Sequence, residues 1–507
     1  MSEVNRSERV GVERSEREEL GRGRRAAWRE LRARQREQGM EPRRRATLSN
    51  GKVPWGTVEE EAAGRQRVVE EHGKVWRAVL PVLLRKLGRI PDPRHPRSIK
   101  HKLTVLLLYG LLMFVLQMSS RREAYREMSR PPLWENLKCL FPELEELPHH
   151  DTLNRVLASI DVEEIQEAAA DLVADLIKNR KFWRYLPRRH YLIAVDGTQK
   201  FTRDTRWAQE SLERHLGVGD GTEAKPQYYV YVLEASLVFP NGVKIPLHTE
   251  FLEYADGCEK QDCELKAFRR MARFLKRRFP RLPIMLLLDG LYPNGPVMSL
   301  CRQEGWQFMI VLRDDVLPSV WQEVRGLRML QPGQEVDQSW GDRRQHFWWV
   351  NDIRYEYGER RRLVVHVVVC EETWEEVASD GEVVTKKGRH AWISSESLSK
   401  GNVHYRCNLA ARHRWAIENQ ILVEKRHGYE YEHCFSYNWN AMKGFHYLMR
   451  LGHLLNVLAQ LSIYLEGYVA RLGVRGLIRF VRETLTGPWL DPERIRVLLG
   501  RHQLRFV

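Results

Sequence analysis

The sequence predicts an α/β protein whose mixed core is interrupted by a β-rich insertion and preceded by an α-helical N-terminal region. Three observations predict it. Helical apolar periodicity runs through residues 68–181, the period switches to that of short buried strands at residue 191, and strand patterns separated by tight turns return between 335 and 395. The 507 residues allow several domains and a sizeable core, and 43% hydrophobic content keeps the bulk of the chain globular. Lys and Arg number 82 against 67 Asp and Glu, and the resulting net charge of +15 makes a polyanion the first partner to consider. The 7 cysteines are scattered with no CxxC, which argues against a disulfide framework and a zinc ribbon and fits a reduced, cytosolic setting. No apolar run follows the N-terminal methionine, so a secretory signal is not expected.

Taken in order, residues 1–60 read as a basic arm, rich in Arg and Glu and poor in large apolar side chains apart from Trp28 and a few leucines. Such composition predicts disorder or a frayed helix, either lying along DNA phosphates or merely solubilising. Residues 61–188 form a helical region, a candidate for binding DNA ends, with Asp151 or Thr152 and Asp161 as N-caps. Within it, Leu103 to Ser120 carries no charge and reaches the lower length of a membrane span. Gln117, Ser119 and Ser120 shorten the apolar run, and Arg97, Lys100 and Lys102 on one flank balance Arg121 and Arg122 on the other, so a buried helix is expected.

Residues 189–320 begin the core. YLIAVD is a buried strand ending at Asp196, QYYVYVLEASLVF and VKIPLHTEFL form a hairpin through Pro240-Asn241-Gly242, and a basic helix (CELKAFRRMARFLKRRF) follows. PIMLLLD then ends at Asp289, before a Gly/Pro turn, a helix and the strand WQFMIVLR. Three antiparallel strands followed by strand–helix–strand crossovers is the order of a ribonuclease-H-like core. The β-rich insertion spans 321–398, the core resumes over 399–465 with one long helical pattern from about 403 to 427, and 466–507 form a helical tail.

Asp196 and Asp289 each end an apolar strand, where open α/β sheets place reactive groups. An acid there is costly to bury unless paired or metal-bound; the plainer reading is turn chemistry, because Gly follows both. On the later helix, Arg414, Glu418 and Lys425 fall within about 40° of one another at 100° per residue, whereas Glu424 lies roughly 120° from Glu418. A carboxylate flanked by two cations suits a metal ligand between phosphate-holding groups; the alternative is an ordinary Arg–Glu pair, although Ile421 on the same stripe argues for partial burial.

The segment RHRWAIENQILVEKRHGYEYEH resembles the signature of insertion-sequence DDE transposases: Arg414, three residues, Glu418, six residues, Lys425, with Ala411 where the pattern has Tyr. IAVDGTQ, LLLDGLYPN and the connecting DGCEKQDCELKAF are similar to the same family, and the likeness covers residues 190 to about 460. It implies a ribonuclease-H-like catalytic domain in which Asp196, Asp289 and Glu418 are catalytic and hold two Mg²⁺ ions, with Mn²⁺ as an alternative, while Arg414 and Lys425 bind DNA phosphate. It also implies double-stranded DNA as partner, at both element ends and target, assembly as a dimer or larger on DNA, no membrane, and a cytoplasmic, nucleoid-associated bacterial location. A metal-dependent nuclease without joining activity, or an inactive DNA-binding derivative, remain the alternatives.

Other groups carry weaker signals. Asp262 and Glu264 cap the basic helix or add to the metal site; Arg269, Arg270, Arg273, Lys276, Arg277 and Arg278 make a solvated or DNA-facing surface. Trp348, Trp349 and Trp392 read as packing, the alternative being an insertion aromatic that holds a flipped base, as in related enzymes. His413, His427 and His433 with Cys407 and Cys434 match no zinc spacing and read as structural or DNA-contacting.

Overall fold

The computed structural model describes residues 3–42, 48, 51–216, 225–254, 262–500 and 502–506, with side chains from residue 19 onward. The basic run at 43–47 and the connecting DGCEKQ stretch, Cys258 included, therefore lie outside the described residues. In chain order the helices and strands are α1 (Glu3–Glu37), α2 (Val58–Leu87), α3 (Leu103–Val115), α4 (Arg121–Met128), α5 (Pro131–Leu140), α6 (His150–Leu157), α7 (Glu163–Lys178), β1 (Tyr191–Arg203), β2 (Leu212–Leu216), β3 (Lys225–Val238) and β4 (Lys244–Leu252). There follow α8 (Glu264–Arg278), β5 (Ile284–Leu288), α9 (Gly295–Gln303), β6 (Gln307–Val311), α10 (Pro318–Leu330), β7 (Glu335–Trp340), β8 (Arg343–Tyr357), β9 (Arg361–Val377) and β10 (Val383–Ser394). The last are α11 (Trp415–Arg426), α12 (Trp439–Gln460), α13 (Glu466–Thr486) and α14 (Pro492–Arg496).

The chain divides into two units. One comprises Leu48–Leu287 and Arg412–Val507. Its strands run in the spatial order β4–β3–β1–β5, with β2 pairing the start of β3; β3 is antiparallel to both β1 and β4, and β5 runs parallel to β1 with Ala194 opposite Leu287. The expected hairpin turn is present, with Phe239 N–H donating to the Val243 carbonyl and Gly242 at φ +89°, a conformation that favours glycine. The apolar run at 103–120 is a 13-residue helix, α3, buried on all sides. It packs on α12, and two glycines permit the close approach: a Cβ at Gly452 would stand 2.8 Å from Phe114, and one at Gly110 would stand 2.8 Å from Leu448. Among the described residues no helix is long and apolar enough to cross a membrane.

The other unit comprises Met1–Thr47 and Leu288–Ala411. Its strand order is β6–β10–β9–β8–β7, all antiparallel. Trp348 and Trp349, neighbours on opposite faces of β8, are both buried, as is Trp392, so all three pack in the core. Of the two expectations for the N-terminal arm, disorder or a frayed helix, residues 3–37 take the helical one and form α1. Its second half packs on β9, with Leu31 buried and Arg34 paired to Glu375 at 2.9 Å. Sparse apolar residues sufficed because a ready-made sheet surface, rather than the helix itself, supplies the burial.

The single long helix expected over 403–427 is also corrected. A π-helical turn (Tyr405–Ala410) and a 3₁₀ turn (Ala411–Arg414) precede α11. Arg406, almost wholly buried, donates to Gln307 and to the Phe308 carbonyl, and these bonds hold the wider turn.

Candidate active site

The site forms in the unit that contains β1, β3 and α11. Asp196 lies on β1 opposite Glu234 of β3 and keeps 19% of its side chain exposed. Gly197 follows, and a Cβ there would stand 2.5 Å from the Glu264 carboxylate and 2.6 Å from the Tyr231 hydroxyl, so only glycine permits this approach. Tyr231 O–H donates to Glu264 at 2.5 Å, tying the first residue of α8 to β3. Glu264 therefore stands beside the backbone next to Asp196.

Arg414, at the start of α11, connects the acids. Its Nη2 donates to Glu418 Oε1 at 2.7 Å, and its Nη1 lies 3.8 Å from Asp196 Oδ1. The guanidinium side chain is only 9% exposed, whereas that of Glu418 is 44% exposed. Arg414 Nε is buried with no hydrogen-bond partner, a donor left unpaired on the guanidinium that meets two carboxylates. In the last turn of the helix, Lys425 donates to the Gln199 carbonyl of β1 at 3.3 Å and pairs with Glu432 at 2.9 Å. The stripe expected on this helix thus meets β1 along its length.

A buried ionic network fixes the rotation of α11. Glu424, on the opposite side of the helix from Glu418, is wholly buried and accepts two 2.8 Å bonds from Arg450 Nη1 and one at 2.5 Å with His453, both on α12. Glu234 accepts from the Tyr431 hydroxyl (2.8 Å) and the Thr249 hydroxyl (2.7 Å), and pairs with Arg450 (3.1 Å) and His446 (3.2 Å). Burial alone would raise the Glu234 carboxyl, but Arg450, His446 and Thr249 together hold it down at about 2. Burial, with help from the Lys200 charge, lowers His446 to about 4, and burial lowers the enclosed Lys200 ammonium to about 8. Sequence patterns missed this network because Glu234, Lys200 and Arg450 occupy strand and helix positions where a solvated charge reads the same as a buried one. Glu424 was set aside only as a ligand, on its angle.

Asp289 belongs to the other unit. It ends β5, and its Oδ1 accepts from the Leu291 N–H at 2.9 Å while its carbonyl accepts from Tyr292 N–H, so the turn chemistry read from Asp289-Gly290 is present. Asp196, Arg414, Glu418 and Lys425 are brought together within one unit.

The remaining candidates resolve individually. Asp262 does not cap α8; Cys263 is the N-cap residue, and Asp262 instead pairs with Arg270 at 2.6 Å. Arg270 also pairs with Glu250, and Arg277 and Arg278 with Glu167 and Asp171 of α7, so half of the basic set on α8 serves packing. Arg269 and Arg273 are exposed. His433 packs edge-on against Phe435 at 4.6 Å, and Cys407 is buried. Among the described residues one group of three metal-capable side chains has all its ligand atoms within 4.8 Å, His149, His150 and Asp151 at the start of α6. There His149, rather than Asp151 or Thr152, is the N-cap, and Arg121 neutralises Asp151 at 3.3 Å.

Residues 84–173, from the last turn of α2 into α7, match the family model described as DDE_Tnp_1-associated. No curated protein matches the chain. The family match points to a DDE-type transposase context and to mobile elements.

Proposed function

We propose that the chain is a DDE transposase that cleaves the phosphodiester bonds at the ends of its own mobile element and joins the freed 3′ ends to target DNA. The observation that carries this reading is the Arg414 guanidinium, placed between Asp196 and Glu418 with its buried Nε lacking a partner. A phosphate oxygen would satisfy that donor, and Arg is the side chain suited to planar recognition of phosphate. The strand order β4–β3–β1–β5 and the register of Ala194 with Leu287 support a ribonuclease-H-like arrangement, since Asp196 and Asp289 each follow that pair by two residues.

Asp196, Asp289 and Glu418 would hold two Mg²⁺ ions, or Mn²⁺. The donor set fits: hard carboxylate oxygens, with those of Asp196 and Glu418 open to solvent, and Arg414 already marking cation demand between them. When bound, paired divalent ions stabilise both the attacking and leaving oxygens of an in-line displacement. The chain's own residues do the rest. Arg414 orients the scissile phosphate through its Nε and Nη donors, and Lys425, held by the Gln199 carbonyl, carries positive charge along the adjoining backbone. The nucleophile is water in the first step and the DNA 3′-hydroxyl in the second, so no Ser or Cys nucleophile is required. Arg269 and Arg273 of α8 extend the positive surface, and double-stranded DNA is the partner, with a dimer or larger assembly on two ends.

The test uses the DNA flanking the coding sequence. Terminal inverted repeats from that DNA, incubated with the protein and Mg²⁺, are cleaved at their ends, and a pre-cleaved end is joined to plasmid DNA. The Glu418→Ala protein retains DNA binding and cleaves nothing; undiminished cleavage would remove Glu418 from the site. Cleavage without joining of the pre-cleaved end would make the protein a nuclease only.

A further inference from the structure

A cavity of about 670 Å³ lies in the same unit as β1, on the side of α11 remote from Glu418. Its size is that of sites for small organic ligands. Val243, Val423, Val457, Leu461 and Leu472 give it an apolar wall, and no carboxylate lines it among the described residues.

Three features give the cavity a direction. Within α13, Gly473 adopts φ +68° and ψ 167°, which breaks the helix and lets a fresh one start at Val474. The first turn of a helix presents N–H groups that its own carbonyls do not satisfy, an anion site by construction. Arg475 and Arg479 follow one turn apart, and Lys244 faces the same space from β4. None of these three cations has a carboxylate partner among the described residues. Gln420, which also lines the cavity, is 1% exposed; its amide donates to Glu424 at 3.4 Å, but its Oε1 is buried with no donor. A ligand that completes the site therefore brings an anion for α13, an apolar body, and an N–H for Gln420. An alkyl carboxylate lacks the last of these.

We infer that this cavity binds a nucleoside phosphate, with the phosphate at the restarted turn of α13 between Arg475, Arg479 and Lys244, and the base against the valine and leucine wall donating to Gln420. The inference does not rest on the transposase reading, because it uses none of the acids assigned to DNA cleavage. The same chemistry has two sources, a free nucleotide and the terminal nucleotide of a DNA strand.

Calorimetric titration of the full chain with 2′-deoxyadenosine 5′-monophosphate tests it, beside deoxyadenosine and inorganic phosphate. The nucleotide binds saturably and at least about tenfold tighter than either half alone. Replacing the two exposed arginines together, Arg475→Ala and Arg479→Ala, weakens it about tenfold or more without changing the circular dichroism, and Gln420→Leu weakens the nucleotide but not phosphate. Absence of saturable heat at millimolar nucleotide, or an unchanged affinity in the double variant, overturns the inference. A 5′-phosphorylated single strand that displaces the nucleotide from the wild-type chain but not from the double variant identifies a strand end as the source; failure to displace it identifies the free nucleotide.

Discussion

Two carboxylate–arginine clusters share strands β1 and β3 and helix α11, and they are built to opposite standards. In the inner one, Glu234 and Glu424 are wholly buried and every oxygen is matched by Arg450, His446, His453, Tyr431 or Thr249. In the outer one, Asp196 and Glu418 stay open to solvent and the single guanidinium between them keeps an unmatched Nε. Like chemistry six residues apart on one helix thus separates into a scaffold and a site. A saturated network stabilises only the fold, whereas solvent-reached carboxylates around a guanidinium with a donor to spare are what a substrate can complete.

The contrast can be broken at each end. The largest expected effect is on activity: Asp196→Ala or Glu418→Ala lowers Mg²⁺-dependent end cleavage by about 10³-fold or more, as loss of several kcal/mol of charge stabilisation requires, with the thermal midpoint nearly unmoved. The mirror experiment strikes the scaffold. Glu424→Ala leaves Arg450 buried beside a lost partner and destabilises the unit by about 3–5 kcal/mol, read from the urea midpoint. If Glu418→Ala unfolds the protein while Glu424→Ala does not, the assignment of the two clusters is reversed. Arg414→Lys keeps the charge but not the fork, and cleavage falls by roughly 10²-fold through misplacement of the phosphate, with DNA affinity little changed.

Acid should loosen the scaffold in two stages. His446 is held neutral in the fold at about 4, against 6.5 when unfolded, so the unfolded chain binds the extra proton and stability falls as pH drops from 6.5 towards 4. Glu234, held at about 2 against an ordinary 4.5, contributes stability that is present above 4.5 and lost as pH falls towards 2. A thermal-midpoint series with His446→Gln should flatten the first stage and, because His446 helps to hold Glu234 down, shrink the second. The smallest effect belongs to the exposed surface: Arg269→Ala with Arg273→Ala should reduce the salt slope of DNA binding by about one for each phosphate contact removed, leaving stability unchanged.

Much of this was legible in the sequence because the signals were periodic. YLIAVD and PIMLLLD could only be buried strands, and the spacing of Arg414, Glu418 and Lys425 survived the loss of a regular helix before them, since the wheel begins where α11 does. What escaped depended on contacts between distant segments. Nothing near Glu264 announces Tyr231 or Gly197, and nothing in the arm at 3–37 announces β9. The strands β2 and β7 were missed for a related reason: with mostly polar, partly exposed residues, their pairing partners define them.

Strand β1 carries one residue more than its ladder with β3 can seat. Gln199 faces Tyr231 and Phe201 faces Val230, so Lys200 is the supernumerary residue. Such an insertion reverses the in–out alternation downstream. Asp196 and Arg203, the latter resting 4.6 Å over the Tyr437 ring, therefore obey different phases of the same strand. A one-residue deletion at this point would mend the ladder and, by doing so, turn everything beyond it to the wrong side. For this strand, perfect pairing and a working arrangement of side chains are incompatible.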